Sequence, residues 1–185
     1  PDINQHHIIN HTSGEEMDGV RNILIESSRI SRGDIISLSM LDKNNISSLV
    51  IPGGFGSAKN LSDWAFNGLN SSVIKEVKDL ILHCVKNKKP IVSLCISPVL
   101  IAKTLEETDY KPKITIGTTK EKSPYEIGEI QGLLKSIGSA TTEKSISEIC
   151  IDEDLKIISA PCYMMEAGID DVYLNIQNAI NHLTN

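Results

Sequence analysis

Two segments of the sequence contain residue types that could carry out chemistry, and each follows a short apolar run. One is the stretch LCISP at 94–98, which contains Cys95. The run 91–94 predicts a buried strand, and Ser97 with Pro98 is typical of a helix start. A thiol there lies at the positive end of a helix dipole, which lowers its pKa toward neutrality and favours a thiolate nucleophile. The same position also suits a small buried cysteine with only a packing role.

The second segment is the glycine-rich loop PGGFG at 52–56, which follows the apolar run 49–51. Gly53 and Gly54 let main-chain N–H groups approach a ligand, because neither residue has a Cβ in the way. Such N–H groups can stabilise the oxyanion that forms when a nucleophile attacks a carbonyl. The same glycines equally suit a tight turn that needs positive φ, and the spacing does not separate these two roles.

Strands that alternate with helices must position both segments. Apolar runs predict strands at 49–51, 91–94 and 113–116, with a hairpin joining 149–151 to 156–159. Helical spacing predicts helices at 21–32, 71–87, 97–105, 125–137 and 170–183. This alternation indicates an α/β domain with a largely parallel sheet. Ligands bind beyond the carboxyl ends of such strands, where both segments lie.

Composition and charge argue against several classes of partner. The 185 residues contain 18 Lys and Arg against 24 Asp and Glu, a net charge of −6 without a basic cluster. We therefore expect no nucleic-acid and no membrane partner. The apolar runs are far shorter than the ~20 residues of a membrane span, and no signal peptide opens the sequence. The four cysteines lack the spacing of a zinc site or a disulfide framework, so we expect a reduced, cytoplasmic protein.

Two further clusters could suggest metal ions. His6, His7 and His11 lie close together in sequence, but no carboxylate accompanies them at ligand spacing. The acidic segment 152–154 lacks the spaced oxygens, the glycine and the glutamate of a calcium loop, so it predicts a solvated hairpin turn. We therefore expect no metal site, and we expect His182 to lie on a solvated surface of the last helix.

Taken together, the two segments resemble the ElbB family, the isoprenoid-biosynthesis amidotransferase-like branch of the ThiJ/PfpI superfamily. The loop IPGGFGSAKNLS at 51–62, followed by CISP at 95–98, carries this resemblance. Supporting segments lie in the family's order over nearly the whole chain, at 9–11, 14–15, 21–30, 115–117 and 152–163.

The resemblance implies a flavodoxin-like three-layer α/β sandwich with a mostly parallel sheet, as in class I glutamine amidotransferase domains. It places Cys95 on the family's elbow cysteine, Gly53 and Gly54 on the oxyanion-hole loop, and Ile96 beside them. We expect one amidotransferase-like domain over 1–185, without the family's first strand–helix unit and the glutamate which that unit supplies. The segment after Met165 is also shorter than the family pattern by about two helical turns.

Four other residues match the family or lie in its loop. His11 and Glu15 match family positions, and each could line the site or lie outside it. Asn60, with its neighbour Lys59, could orient a substrate carbonyl or simply hold the glycine-rich loop in place. The sequence leaves these alternatives open.

The resemblance implies a glyoxalase-type enzyme that needs no cofactor and converts glyoxal, a small aldehyde, to glycolate through the Cys95 thiolate. Because superfamily members often form dimers, a homodimer is expected. The alternative is a catalytically silent amidotransferase-like protein that acts by partner binding in isoprenoid metabolism. A glutamine amidase is the weakest interpretation, because no histidine follows Cys95 closely and no His-x-Glu lies near the carboxyl end.

Overall fold

The computed structural model describes residues 1–184. Six strands occur within them: β1 (Leu49–Ile51), β2 (Ile91–Leu94), β3 (Lys113–Ile114), β4 (Ala140–Thr141), β5 (Cys150–Asp152) and β6 (Ile157–Ala160). The central sheet has the order β1-β2-β6-β5, in which β1, β2 and β6 are parallel and β5 is antiparallel to β6. The parallel pair β3 and β4 forms a separate sheet.

Seven α-helical segments occur in the same residues: α1 (Ile23–Ser31), α2 (Gly54–Gly56), α3 (Trp64–Asn67), α4 (Lys75–Lys86), α5 (Pro98–Leu105), α6 (Ile127–Ser136) and α7 (Ile169–Thr184). A π-helical turn, Ser57–Leu61, follows α2 directly. None of the helices within 1–184 is both long and apolar enough to cross a membrane.

The central sheet lies between two layers of helix. Ile91 and Ile157 belong to one buried cluster, which also contains the apolar sides of α4 and α5. Val92 and Ile158 belong to a second cluster, which contains Val172 and other apolar residues of α7. Because neighbouring residues of a strand face opposite sides of the sheet, this alternation makes three layers. The structure therefore confirms the predicted flavodoxin-like sandwich with a mostly parallel sheet.

Several predicted boundaries need correction. The strand predicted at 113–116 has only two residues and pairs with β4 instead of joining the central sheet. The helix predicted from 71 begins at Lys75, because residues before it pair with the end of the π-helical turn through the Ser62–Val73 bridge. The run 49–51 is an edge strand in which Val50 is 41% exposed, so it is not buried on both faces.

The acidic turn shows a further difference. The hairpin between β5 and β6 is confirmed, but Asp152 is buried. Its carboxylate accepts the main-chain N–H of Leu155 at 3.0 Å and that of Lys113 at 2.7 Å. Asp152 thus joins the hairpin to β3, and the prediction of a fully solvated turn was wrong for this residue.

Candidate active site

Cys95 lies on a sharp turn between β2 and α5. Its φ is 58°, in the left-handed region, which costs a residue with a Cβ about 1–2 kcal/mol. The Cys95 N–H donates to the carbonyl oxygen of Ala160 at 2.9 Å, which fixes the turn to the end of β6. Such strain persists only where surrounding contacts hold it, and it is frequent at functional sites. This is the predicted strand–turn–helix setting of a nucleophile.

Ser97 holds the same turn from inside. It is fully buried, and its hydroxyl lies 2.8 Å from the carbonyl oxygen of Leu94 and 3.0 Å from that of Ile51. Ser97 occupies the N-cap position of α5, but its side chain does not cap the helix, contrary to the prediction. The hydroxyl instead joins the end of β1 to the Cys95 turn.

The glycine-rich loop approaches this turn so closely that one glycine is essential. A Cβ on Gly53, whose φ is 88°, would lie 2.3 Å from the carbonyl oxygen of Leu94 and 2.9 Å from the Cβ of Cys95. Gly54 has a φ of 72°, but a Cβ there would meet nothing within 4 Å. Close approach to the cysteine therefore explains Gly53, whereas the left-handed backbone alone explains Gly54.

Two opposed effects act on the thiol of Cys95. Burial raises its pKa, while hydrogen bonds from the main-chain N–H groups of Gly54, Ile96 and Met164 lower it. Burial is the largest effect, so the pKa of Cys95 lies above its ordinary value of 9.0. The predicted shift toward neutrality was therefore wrong, because burial outweighs the hydrogen bonds to the thiol. Gly54 and Ile96 are two of the residues predicted to surround an oxyanion, whereas Met164 was not predicted and Gly53 contributes no N–H to the thiol. That these groups bind an oxyanion stays a prediction.

A cavity of about 430 Å³ opens onto Cys95. Its lining is mostly apolar and includes Pro52, Gly53, Gly54, Phe55, Ala58, Trp64, Ala65, Ile96, Tyr125, Ile130, Cys162, Tyr163, Met164, Val172 and Ile176. Within residues 1–184, no carboxylate and no imidazole belongs to this lining. The cavity can therefore admit a small molecule and offer it a thiol and main-chain donors.

The turn after β6 supplies one wall of the cavity, and the sequence reasoning missed it. Cys162, Tyr163 and Met164 form a short 3-10 turn, and the φ of Cys162 is 48°. The local sequence around Cys162 does not indicate a functional role. The sequence did contain a signal for this wall. The segment of β6 is an apolar run, and the carboxyl ends of parallel strands such as β2 and β6 lie at the same edge of the sheet, where ligands bind.

The remaining predicted residues lie outside the cavity lining. Asn60 accepts the main-chain N–H of His6 at 2.8 Å through its side-chain oxygen, so it joins the first residues of the chain to the glycine-rich loop. Lys59 lies 3.4 Å from Nδ1 of His7. His11 and Glu15 are exposed beside a turn that begins at residue 10. Any contribution of Asn60, His11 or Glu15 to substrate binding stays a prediction.

His6 and His7 take part in ring contacts. The His6 ring lies 4.3 Å from that of Phe66, and His7 contacts both rings. His7 also lies 3.8 Å from the carboxylate of Glu16. His182 is exposed on α7, as expected.

The chain is similar to several proteins, although no protein-family model matches it. It is 37% identical over 177 residues to the mitochondrial ES1 protein homolog of Rattus norvegicus and to the human mitochondrial glutamine amidotransferase-like class 1 domain-containing protein 3. Each alignment covers 94% of this chain, and the chain spans 64% of the length of each relative.

A solved structure extends this similarity over the whole chain. It is the crystal structure of an isoprenoid biosynthesis protein with amidotransferase-like domain from Ehrlichia chaffeensis, with 32% sequence identity and a TM-score of 0.86. The match covers 100% of this chain and 80% of that one. The chain therefore belongs to the family of amidotransferase-like proteins that includes this bacterial isoprenoid biosynthesis protein.

Proposed function

We propose that this protein is a glyoxalase of the ElbB type, which converts glyoxal to glycolate without a cofactor. The observation that carries the proposal is the placement of Cys95: a strained, half-buried thiol at a cavity of about 430 Å³, with three main-chain N–H groups directed at it. A nucleophile beside preorganised donors suits addition to a carbonyl.

The first step forms a bond between the Cys95 sulfur, as thiolate, and one aldehyde carbon of glyoxal. The carbonyl electrons move to oxygen, which becomes an oxyanion close to the N–H groups of Gly54 and Ile96. Those N–H groups already lie within reach of the sulfur, so they are close to the new oxyanion as well. Protonation of the oxyanion completes a hemithioacetal.

The second step moves the hydrogen of the attacked carbon to the neighbouring carbon as a proton, through an enediol. This leaves a glycolyl thioester on Cys95, which one water molecule hydrolyses to glycolate and the free thiol. The sum is glyoxal plus water giving glycolic acid. Tyr125 and Tyr163 line the cavity, and their side-chain hydroxyls could relay the proton.

A second candidate is a catalytically silent protein that acts by partner binding in isoprenoid metabolism. Two observations favour it: the described lining contains no carboxylate or imidazole, and the Cys95 pKa lies above its ordinary value. The Ehrlichia protein is also named for isoprenoid biosynthesis. A glutamine amidase has less support, because no histidine lines the described cavity beside Cys95.

The test is a glyoxal-turnover assay by nuclear magnetic resonance on the full chain and on Cys95→Ser. We expect glycolate from the wild type and none from the variant, with unchanged circular dichroism in both. Cys84→Ser is the matched control, since Cys84 is a buried cysteine of α4 that does not line the cavity. Turnover that survives in Cys95→Ser refutes the proposal. No turnover in any sample, with a partner recovered by pull-down, favours the second candidate.

We also propose a reducing compartment, the cytoplasm, because the four cysteines lack any disulfide spacing and none of them is paired in the structure. The two mammalian relatives are named as mitochondrial proteins. Fractionation of cells that produce this chain distinguishes the two locations.

A further inference from the structure

Cys162 has no role in the reaction proposed above, yet it lines the same cavity as Cys95. We propose that a peroxide converts Cys95 and Cys162 into a reversible disulfide, with Cys95 as the attacking thiol and Cys162 as the resolving thiol. This is a modification site rather than a part of the glyoxalase reaction, and it does not depend on that reaction.

The sheet brings the two cysteines together. Leu94 of β2 and Ala160 of β6 are direct partners in the parallel ladder. Cys95 comes one residue after Leu94, and Cys162 comes two residues after Ala160, so both lie just beyond the same end of the sheet. Neighbouring strands are about 4.8 Å apart, and a disulfide joins Cα atoms about 4.4–6.8 Å apart.

Two further observations show that Cys95 and Cys162 are neighbours. Both cysteines have left-handed backbones, with φ of 58° and 48°, which turn the chain at the sheet edge. The Cys95 N–H lies within hydrogen-bonding reach of the Cys162 thiol, and Cys95 packs against the buried cluster that contains Cys162. The two cysteines are therefore neighbours at one end of the sheet, as a disulfide between them requires.

The unequal burial of the two thiols assigns their roles. Cys95 is half-buried at the cavity, where a small peroxide can reach it, whereas Cys162 is only 3% exposed. Burial also raises the pKa of Cys162 to about 12, so this thiol does not react with peroxide by itself. Cys162 reacts only once an electrophilic sulfur is beside it.

The chemistry balances in two steps. The Cys95 thiolate attacks one oxygen of hydrogen peroxide, the O–O bond breaks, and the products are a sulfenic acid and hydroxide. The sulfur of Cys162 then attacks the sulfenic sulfur, and the hydroxyl leaves with the Cys162 proton as water. The peroxide takes up two electrons and each sulfur gives one to the new S–S bond. A thiol reductant restores both cysteines.

The experiment treats the full chain with hydrogen peroxide and follows free thiols and peptide masses without reduction. The expected result is loss of two of the four thiols, a cross-linked pair of peptides containing Cys95 and Cys162, and full recovery with dithiothreitol. In Cys162→Ser, the sulfenic acid of Cys95 should instead be trapped by dimedone or proceed to sulfinic acid. Cys150→Ser is the matched control, since Cys150 is buried but does not line the cavity, and it should behave like the wild type.

Two results overturn the inference. One is that peroxide oxidises Cys95 of the wild type to sulfinic acid, while Cys162 is still a free thiol that can be alkylated once the protein is unfolded. The other is a cross-linked peptide that pairs different cysteines. If Cys162→Ser does not fold, Cys162→Ala serves the same purpose, and the wild-type peptide map decides without any variant. Because the readout is mass, failure here leaves the glyoxalase proposal intact, and loss of turnover leaves this inference intact.

Discussion

Replacing Gly53 by alanine tests whether the glycine-rich loop is held directly against the Cys95 turn. The new Cβ would lie 2.3 Å from the carbonyl oxygen of Leu94 and 2.9 Å from the Cβ of Cys95. Real Cβ atoms essentially never approach other atoms so closely. Main-chain oxygen is not the movable end of a flexible side chain, so the ends of β1 and β2 must separate to admit the methyl group. Gly54 offers a matched control with similar backbone geometry and open space around it.

The magnitude follows from two contributions. A left-handed backbone costs a residue with a Cβ about 1–2 kcal/mol, and both positions pay this cost because their φ values are 88° and 72°. Overpacking of a tight contact adds about 1–3 kcal/mol, and only Gly53 has such a contact. We therefore expect Gly53→Ala to lower the free energy of unfolding by about 2–5 kcal/mol and Gly54→Ala by about 1–2 kcal/mol.

Urea unfolding followed by circular dichroism measures both losses under one set of conditions. We predict that Gly53→Ala has the lower urea midpoint, with similar slopes in the two variants. Equal losses would refute the reasoning, because they would mean that the loop does not touch the cysteine turn. A larger loss in Gly54→Ala would refute it more strongly.

Three further predictions concern buried polar groups, each measured by the free energy of unfolding in urea. Ser97→Ala should cost about 1–3 kcal/mol, because it removes a buried hydroxyl that contacts the carbonyl oxygens of Ile51 and Leu94 and the hydroxyl of Ser93. Asp152→Ala should cost about 2–3 kcal/mol, because two main-chain N–H groups lose their charged acceptor, whereas the exposed Glu153→Ala should cost little. Between about pH 8 and pH 10, the free energy of unfolding of the wild type should fall by about 1.4 kcal/mol more than that of Cys162→Ser. The reason is that only the wild type has a buried thiol at position 162.

The sign of the last prediction comes from the two states of Cys162. Its pKa is about 12 in the folded chain and near 9.0 once unfolded, so the neutral thiol is the form that folding favours. This stability is fully present below pH 9.0 and declines as the pH rises toward 12. Parallel pH dependences in wild type and Cys162→Ser would contradict it. For the other two changes, losses no larger than that of Glu153→Ala would contradict the assigned hydrogen bonds.

The elements that carry apolar runs were predictable from the sequence. The runs at β2 and β6 and the spacing along α4 gave the sheet and its covering helices, because burial on both faces of a parallel sheet leaves a clear apolar pattern. The pair β3 and β4 was not predictable in this form, since each strand has two residues and their pairing depends on contacts distant in the chain. The edge position of β1 was not predictable either, because it depends on the order of the strands in the sheet.

Half of the candidate site was predictable, and the other half depends on tertiary packing. Cys95 and Gly53 were recognised because a strand, a turn and a helix leave local signals. The wall formed by Cys162 to Met164 follows the same rule but was overlooked, since no glycine or helix cap marks it. Asn60 could not be assigned from the sequence, because its partner is the main chain of His6, far away in the chain. The pKa of Cys95 depends on burial, which a local motif does not reveal.

The most direct test of the central claim compares Cys95 alkylation with glyoxal turnover in the same sample across pH. Iodoacetamide labelling, followed by peptide mapping, reports the thiolate fraction of Cys95, with Cys84→Ser as the control protein. We predict that the alkylation rate and the turnover rate rise together with a pKa above 9.0, and that complete alkylation of Cys95 abolishes turnover. Turnover that continues after complete alkylation of Cys95 would contradict this claim. So would a protein whose Cys95 reacts with iodoacetamide but which converts no glyoxal before alkylation.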